Sequence, residues 1–164
     1  MKELELFFSE ERTFRQTPGV HFGDVHVKGA NGLDLVEHFG QSISPPDRDE
    51  KAQWYIHRHQ TDNNRVIRGA RLFELFNSSW HKKHWFVYLE EGVGALRIPP
   101  DTFHRSYSGI DGSLLLNHAI RGAQYDEAKE FIPCFCPAAL EHPPFYHGIS
   151  PWGVHTFINH GVYE

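Results

Sequence analysis

Residues 54–76 read WYIHRHQTDNNRVIRGARLFELF, and the fold turns on this stretch. It opens on aromatic and β-branched residues around His57 and His59, which favours a strand. Residues at i and i+2 of a strand share a face, so His57 and His59 are expected side by side. Thr61-Asp62-Asn63-Asn64 reads as a polar turn, since such side chains bond their own backbone. A second apolar run, Val66 to Phe76, is punctuated by Gly69. Further along, Arg97-Ile98-Pro99-Pro100-Asp101-Thr102-Phe103-His104 supplies a proline turn followed by a third histidine. The two stretches read as opposite walls of one barrel, meeting at His57, His59 and His104.

The rest of the chain is consistent with a barrel. Short apolar runs recur at strand length between turn signals: Val20–Lys28 (broken by Gly23), Leu33–Phe39, Phe86–Leu89, Ala95–Ile98, Phe103–Tyr107 and Leu114–Ile120. Strands at a spacing of about ten residues indicate an all-β sandwich or barrel. Leu33–Phe39 also fits a helical turn. Asn31-Gly32 reads as a turn, and Trp80–Trp85 (WHKKHW) as a hairpin tip. Tyr125–Phe131 is the one helix candidate. Residues 1–164 are expected to form a single domain, with a proline-rich tail from about residue 137 to 164 packed over the barrel or on a partner.

Composition removes several classes of function. The net charge of -5 argues against nucleic-acid binding. No run approaches the roughly 18 apolar residues of a membrane span. The acidic N-terminal stretch MKELELFFSEERTF is unlike a secretory signal. Cys134 and Cys136 stand two apart, a spacing that reaches disulfide geometry only with strain, so both are expected as free thiols in the cytoplasm.

With these residues in place, the chain resembles the cupin superfamily. The first cupin motif has HxH, a glutamate four or five residues on, and a glycine; His57, His59 and Gly69 match, while Asn63 and Asn64 stand at the glutamate's place. The second has a Pro-x-Gly turn and a histidine three residues later; Pro99 and His104 match, with Asp101 in place of the glycine. The resemblance implies a jelly-roll barrel and a divalent metal (Fe, Zn, Ni or Mn) on His57, His59 and His104, with dioxygenase or isomerase chemistry. Neutral imidazoles are good ligands for such ions. A site without the glutamate keeps more of the ion's positive charge and favours an anionic or sugar-like small molecule. Asp62 is a further carboxylate close to the motif.

A second resemblance lies within the same superfamily. RIPPDTFHRSYSGIDGSLLLNHAIRGAQYDEAKEF is similar to the second half of the dTDP-4-dehydrorhamnose 3,5-epimerases and related metal-free sugar-nucleotide enzymes. It implies His57 as base and Tyr125 as acid. A histidine suits proton abstraction beside a keto group. Arg58, Arg65, Arg68, Arg71 and Arg97 are candidates for gripping a diphosphate, though a solvated strand face accounts for them more simply. Glu74 is a further acid–base candidate if strict alternation from Ala70 points it inward. A non-catalytic ligand-binding cupin is the third alternative. The apolar N-terminal run Leu4–Phe8 and the aromatic tail through Phe145, Tyr146, Trp152 and Phe157 point to a homodimer.

Overall fold

The computed structural model describes residues 27–135 in full and, beyond them, the backbone of five strands at 8–9, 12–17, 20–24, 145–150 and 153–158. The strands run β1 (Phe8–Ser9), β2 (Arg12–Thr17), β3 (Val20–Asp24), β4 (Gly32–His38), β5 (Ser42–Ser44), β6 (Gln53–Ile56), β7 (Gln60–Phe76), β8 (His84–Glu90), β9 (Ala95–Ile98), β10 (Phe103–Ser108) and β11 (Ser113–Arg121). A short helix, α1 (Glu127–Glu130), precedes β12 (Cys134–Phe135), β13 (Phe145–Ser150) and β14 (Gly153–Ile158). The architecture is the all-β cupin jelly roll expected from the sequence.

The 17-residue β7 is the spine. Its first half pairs with β9 and β11, and β4 lies outside β11. Its second half pairs with β8 and β10. The strand changes walls at Gly69, whose φ of 78° favours glycine; a Cβ there would stand 2.7 Å from the Gly112 carbonyl oxygen. Beyond Gly69 the alternation is strict. Arg71, Phe73, Leu75 and Asn77 are buried, whereas Leu72, Glu74 and Phe76 take the other face. Phe73 and Leu75 pack with Val66, Trp80, Trp85, Val87, Leu89, Leu96, Ile98 and Leu115 into one apolar core between the walls.

Several local expectations are corrected. Thr61–Asn64 is strand, not turn, and Gln60 to Asn64 are all buried. Its polar groups are satisfied by neighbours: the Asn63 amide donates to Asn117 Oδ1 at 2.9 Å, and its side chain donates to the His118 carbonyl at 2.9 Å. Strand β6 stops at Ile56, so His57–His59 is a bend outside any strand. Trp80 falls, as expected, in the connection of the β7–β8 hairpin, which pairs Phe76 with His84, but its side chain turns into the core and is 4 % exposed. Residues 33–38 are strand rather than helical turn. Asn31 does not turn a hairpin; its side chain brackets the backbone of Arg121. The helix at Glu127–Glu130 falls where expected, capped by Asp126, whose side chain accepts from the Ala128 amide. Leu4 to Phe7, Cys136 and the side chains of the aromatic tail lie outside the described residues. In the tail, the backbone of β13 pairs with β14 and, in parallel, with β8.

Candidate active site

Three buried side chains converge at one end of the barrel: His57 from the bend after β6, Asp62 from β7, and His104 from β10. Each offers one nitrogen or oxygen, and these atoms lie within 4.8 Å of one another. His57 Nδ1 meets the Glu130 carbonyl oxygen at 2.8 Å, so Nδ1 carries the donated proton. His104 Nδ1 meets the Thr102 carbonyl oxygen at 3.0 Å in the same way. With both Nδ1 atoms donating, both Nε2 atoms present a lone pair inward. Each stands 3.6 Å from Asp62 Oδ2, too far for a direct hydrogen bond.

Asp62 is itself held. Its Oδ1 accepts from Gln60 Nε2 at 2.7 Å and from Asn117 Nδ2 at 2.9 Å, leaving Oδ2 for the histidines. Gln60 Oε1 accepts from Arg121 Nε at 2.9 Å, and Arg121 reaches Asp34 at 2.6 Å. Burial pulls the His104 pKa down to about 4, helped by the neighbouring His57 and opposed by Asp62 and the Thr102 carbonyl. His104 is therefore neutral at pH 7.

Glu130 fixes the bend that carries His57. Its buried carboxylate accepts the Arg58 amide at 2.7 Å and the His59 amide at 3.0 Å. Phe131, on the same segment, lies edge-on to His57 at 4.9 Å between centroids. Tyr55 packs beside it, 6.4 Å from Phe131, 6.3 Å from His57 and 6.1 Å from His104. A cavity of about 530 Å³ opens behind the bend, with Ile56, Arg58, Trp80, Pro100, Asp101 and Phe103 in its wall. The Asp101 amide donates to the His57 carbonyl at 2.8 Å and joins that wall to the site.

The structure brings His57 and His104 together as the sequence implied, but not His59. His59 is exposed, and its ring is outside the cluster. The i, i+2 rule that aligned it with His57 needs a strand, and the chain bends there. Asp62 takes the third place. Glu74 points away from the barrel interior, because the buried phase of β7 falls on Arg71, Phe73 and Leu75; it accepts from Tyr107 at 2.6 Å and faces His84 Nε2 at 2.8 Å. Tyr125 lies under the Arg121 guanidinium at 4.6 Å, and its hydroxyl is buried with no hydrogen-bond partner. No described hydrogen bond or ring contact joins it to His57. Of the arginines, Arg58 and Arg68 are exposed and paired with Asp101 and Glu37. Arg71 is 2 % exposed, so a solvated face does not describe it.

Gln60, Asn117, Arg121 and Glu130 went unnoticed in the sequence. Residues 60–64 read QTDNN, polar at every position, so no period-two alternation marks Gln60 as part of a strand. Glu130 bonds across more than 70 residues and leaves no local trace.

No protein-family model and no curated protein matches the chain. Solved structures do. QdtA, a sugar 3,4-ketoisomerase from Thermoanaerobacterium thermosaccharolyticum in complex with TDP, is 13% identical, with TM-score 0.55 over 77% of this chain and 86% of that one. A dTDP sugar isomerase from Desulfovibrio desulfuricans is 18% identical, with TM-score 0.57 over 81% and 84%. NovW, a 4-keto-6-deoxy sugar epimerase from Streptomyces spheroides, is 14% identical, with TM-score 0.56 over 82% and 69%. The shared feature is the RmlC-like cupin fold.

Proposed function

We propose that this chain isomerises or epimerises a keto sugar carried on a nucleoside diphosphate, with His57 as the base. The carrying observation is the His57 tautomer. Its Nδ1 proton is committed to the Glu130 carbonyl, so Nε2 faces the interior as a proton acceptor beside Asp62 and His104. Nε2 takes a proton from the carbon next to the keto group, and the electron pair moves into an enediolate. Return of the proton to the former carbonyl carbon, with the hydroxyl proton of the first carbon passing to the other enediolate oxygen, gives the isomer; return to the opposite face of the same carbon gives the epimer. Asp62, with Oδ2 3.6 Å from Nε2, stabilises the imidazolium formed in between. The cavity behind the bend suits the nucleotide, with Phe103 a flat face for the base and Arg58 able to reach the diphosphate by exchanging its partner Asp101. The fold shared with keto-sugar enzymes supports this reading over an oxygenase.

The same three side chains support a second reading, a divalent metal (Fe, Zn, Ni or Mn). Two imidazole Nε2 atoms and one carboxylate match the facial donor set of such sites. The outer bonds match as well, since each imidazole donates its other N–H to a carbonyl and the spare carboxylate oxygen is hydrogen-bonded. A bound ion would polarise the keto oxygen as a Lewis acid, and His57, Asp62 and His104 would hold it.

Incubation with TDP-4-keto-6-deoxyglucose, followed by proton NMR, tests the first reading. An isomeric or epimeric keto sugar is expected, and His57→Gln should slow its formation at least about 100-fold. An unchanged substrate spectrum contradicts it. Elemental mass spectrometry before and after metal loading tests the second; less than about a tenth of an equivalent of any divalent metal removes it.

A further inference from the structure

The other end of the barrel holds a second buried polar group with no place in the chemistry above. Along β10, Ser108 lies four residues from His104, roughly 13 Å away at strand rise. There Arg71 from β7 donates through Nε and a terminal nitrogen to Ser113 Oγ, at 2.9 and 2.8 Å. The same terminal nitrogen reaches the carbonyls of Val36 and Ser113 at 3.2 and 3.4 Å. Ser113 Oγ stands 2.6 Å from Ser108 Oγ, which stands 2.8 Å from His38 Nδ1. Among the described residues no carboxylate bonds to Arg71.

The hydrogen bonds can run in one direction. Ser113 spends both lone pairs on Arg71, so its proton goes to Ser108. The Ser108 proton then goes to His38 Nδ1, and the imidazole proton is left on Nε2. That N–H is buried and meets no acceptor among the described residues. The pole therefore carries one uncompensated buried positive charge and one orphaned buried donor, each costly by itself. Gly112 lets the turns close over it, since a Cβ there would meet the His38 carbonyl oxygen at 2.2 Å.

We propose that this pole is a binding site for one small monovalent anion of the halide class, which accepts from His38 Nε2–H in the field of Arg71. An ion accepting from Nε2–H also brings to this pole the negative charge that Arg71 lacks, whereas a water satisfies only the donor. Burial lowers the Arg71 pKa to about 10, and burial with Arg71 lowers that of His38 to about 4, the direction expected of basic groups lacking an anion.

Crystals grown without halide and soaked in sodium bromide test this on the unaltered chain. The anomalous signal of bromine is expected within hydrogen-bonding reach of His38 Nε2. Water at that position in the soaked crystal, or bromine confined to the surface, overturns the proposal. In solution, about 0.5 M bromide should raise the melting midpoint by about 3 °C over gluconate at equal ionic strength. Arg71→Met should abolish that difference; a difference that survives in this variant also overturns the proposal.

Discussion

At the residue scale, two histidines sit in a protein that holds them neutral for different reasons. His104 is kept so by burial and its neighbours in the candidate active site, and His38 by burial and the charge of Arg71. Both pKa values fall from the ordinary 6.5 to about 4. The unfolded chain therefore binds protons that the folded chain refuses between pH 6.5 and 4. Stability is full above pH 6.5 and is lost as pH falls through that window, by at most about 3 kcal/mol per histidine. Urea midpoints measured from pH 7 to pH 4 should drop accordingly. His38→Gln, which does not titrate there, should flatten the drop; an equally steep profile in this variant would show that His38 is already protonated in the fold. His57 and His104 were readable as partners because each follows a motif whose spacing survives in this chain. Asp62 was visible only as a carboxylate close to the motif and not as a strand residue, because a run of Thr, Asp and Asn looks like a turn until the barrel supplies partners for its polar groups.

At the scale of elements, β7 shows what periodicity could and could not tell. The apolar half, Val66 to Phe76, was legible as strand, and Gly69 as its interruption. The polar half was masked, because residues 60–64, QTDNN, are polar at every position and carry no alternation. The helix α1 was legible in place but not in purpose. Its Glu130 holds two backbone amides of the His57 bend, a long-range pairing that only the folded chain reveals. Glu130→Ala should leave those amides unpaired and cost about 1–3 kcal/mol in denaturant unfolding. It should also lower kcat with the keto sugar more than it raises KM, because the base is misplaced while the nucleotide cavity remains. A variant with wild-type kcat would mean that the Glu130 carbonyl alone fixes His57.

At the scale of the whole molecule, the barrel has a polar site at each end and an apolar core between them. The jelly roll itself was readable, from strand spacing and two motif fragments. Strand β4 pairs only with β11 among the described residues, and its Leu33 and Leu35 are each 64 % exposed. An edge strand with bare leucines invites pairing. The chain is expected to be a twofold dimer, and light scattering at micromolar concentration should return twice the mass of the 19.0 kDa chain. A mass near one chain contradicts this.

The central claim is that His57 removes a proton beside a keto group. Incubation of the enzyme with TDP-4-keto-6-deoxyglucose in deuterium oxide, read by proton NMR and mass spectrometry, tests it most directly. One deuterium should enter at the carbon next to the carbonyl with wild type, and none above background with His57→Gln. Equal exchange in the two proteins, or none in either, would contradict the account.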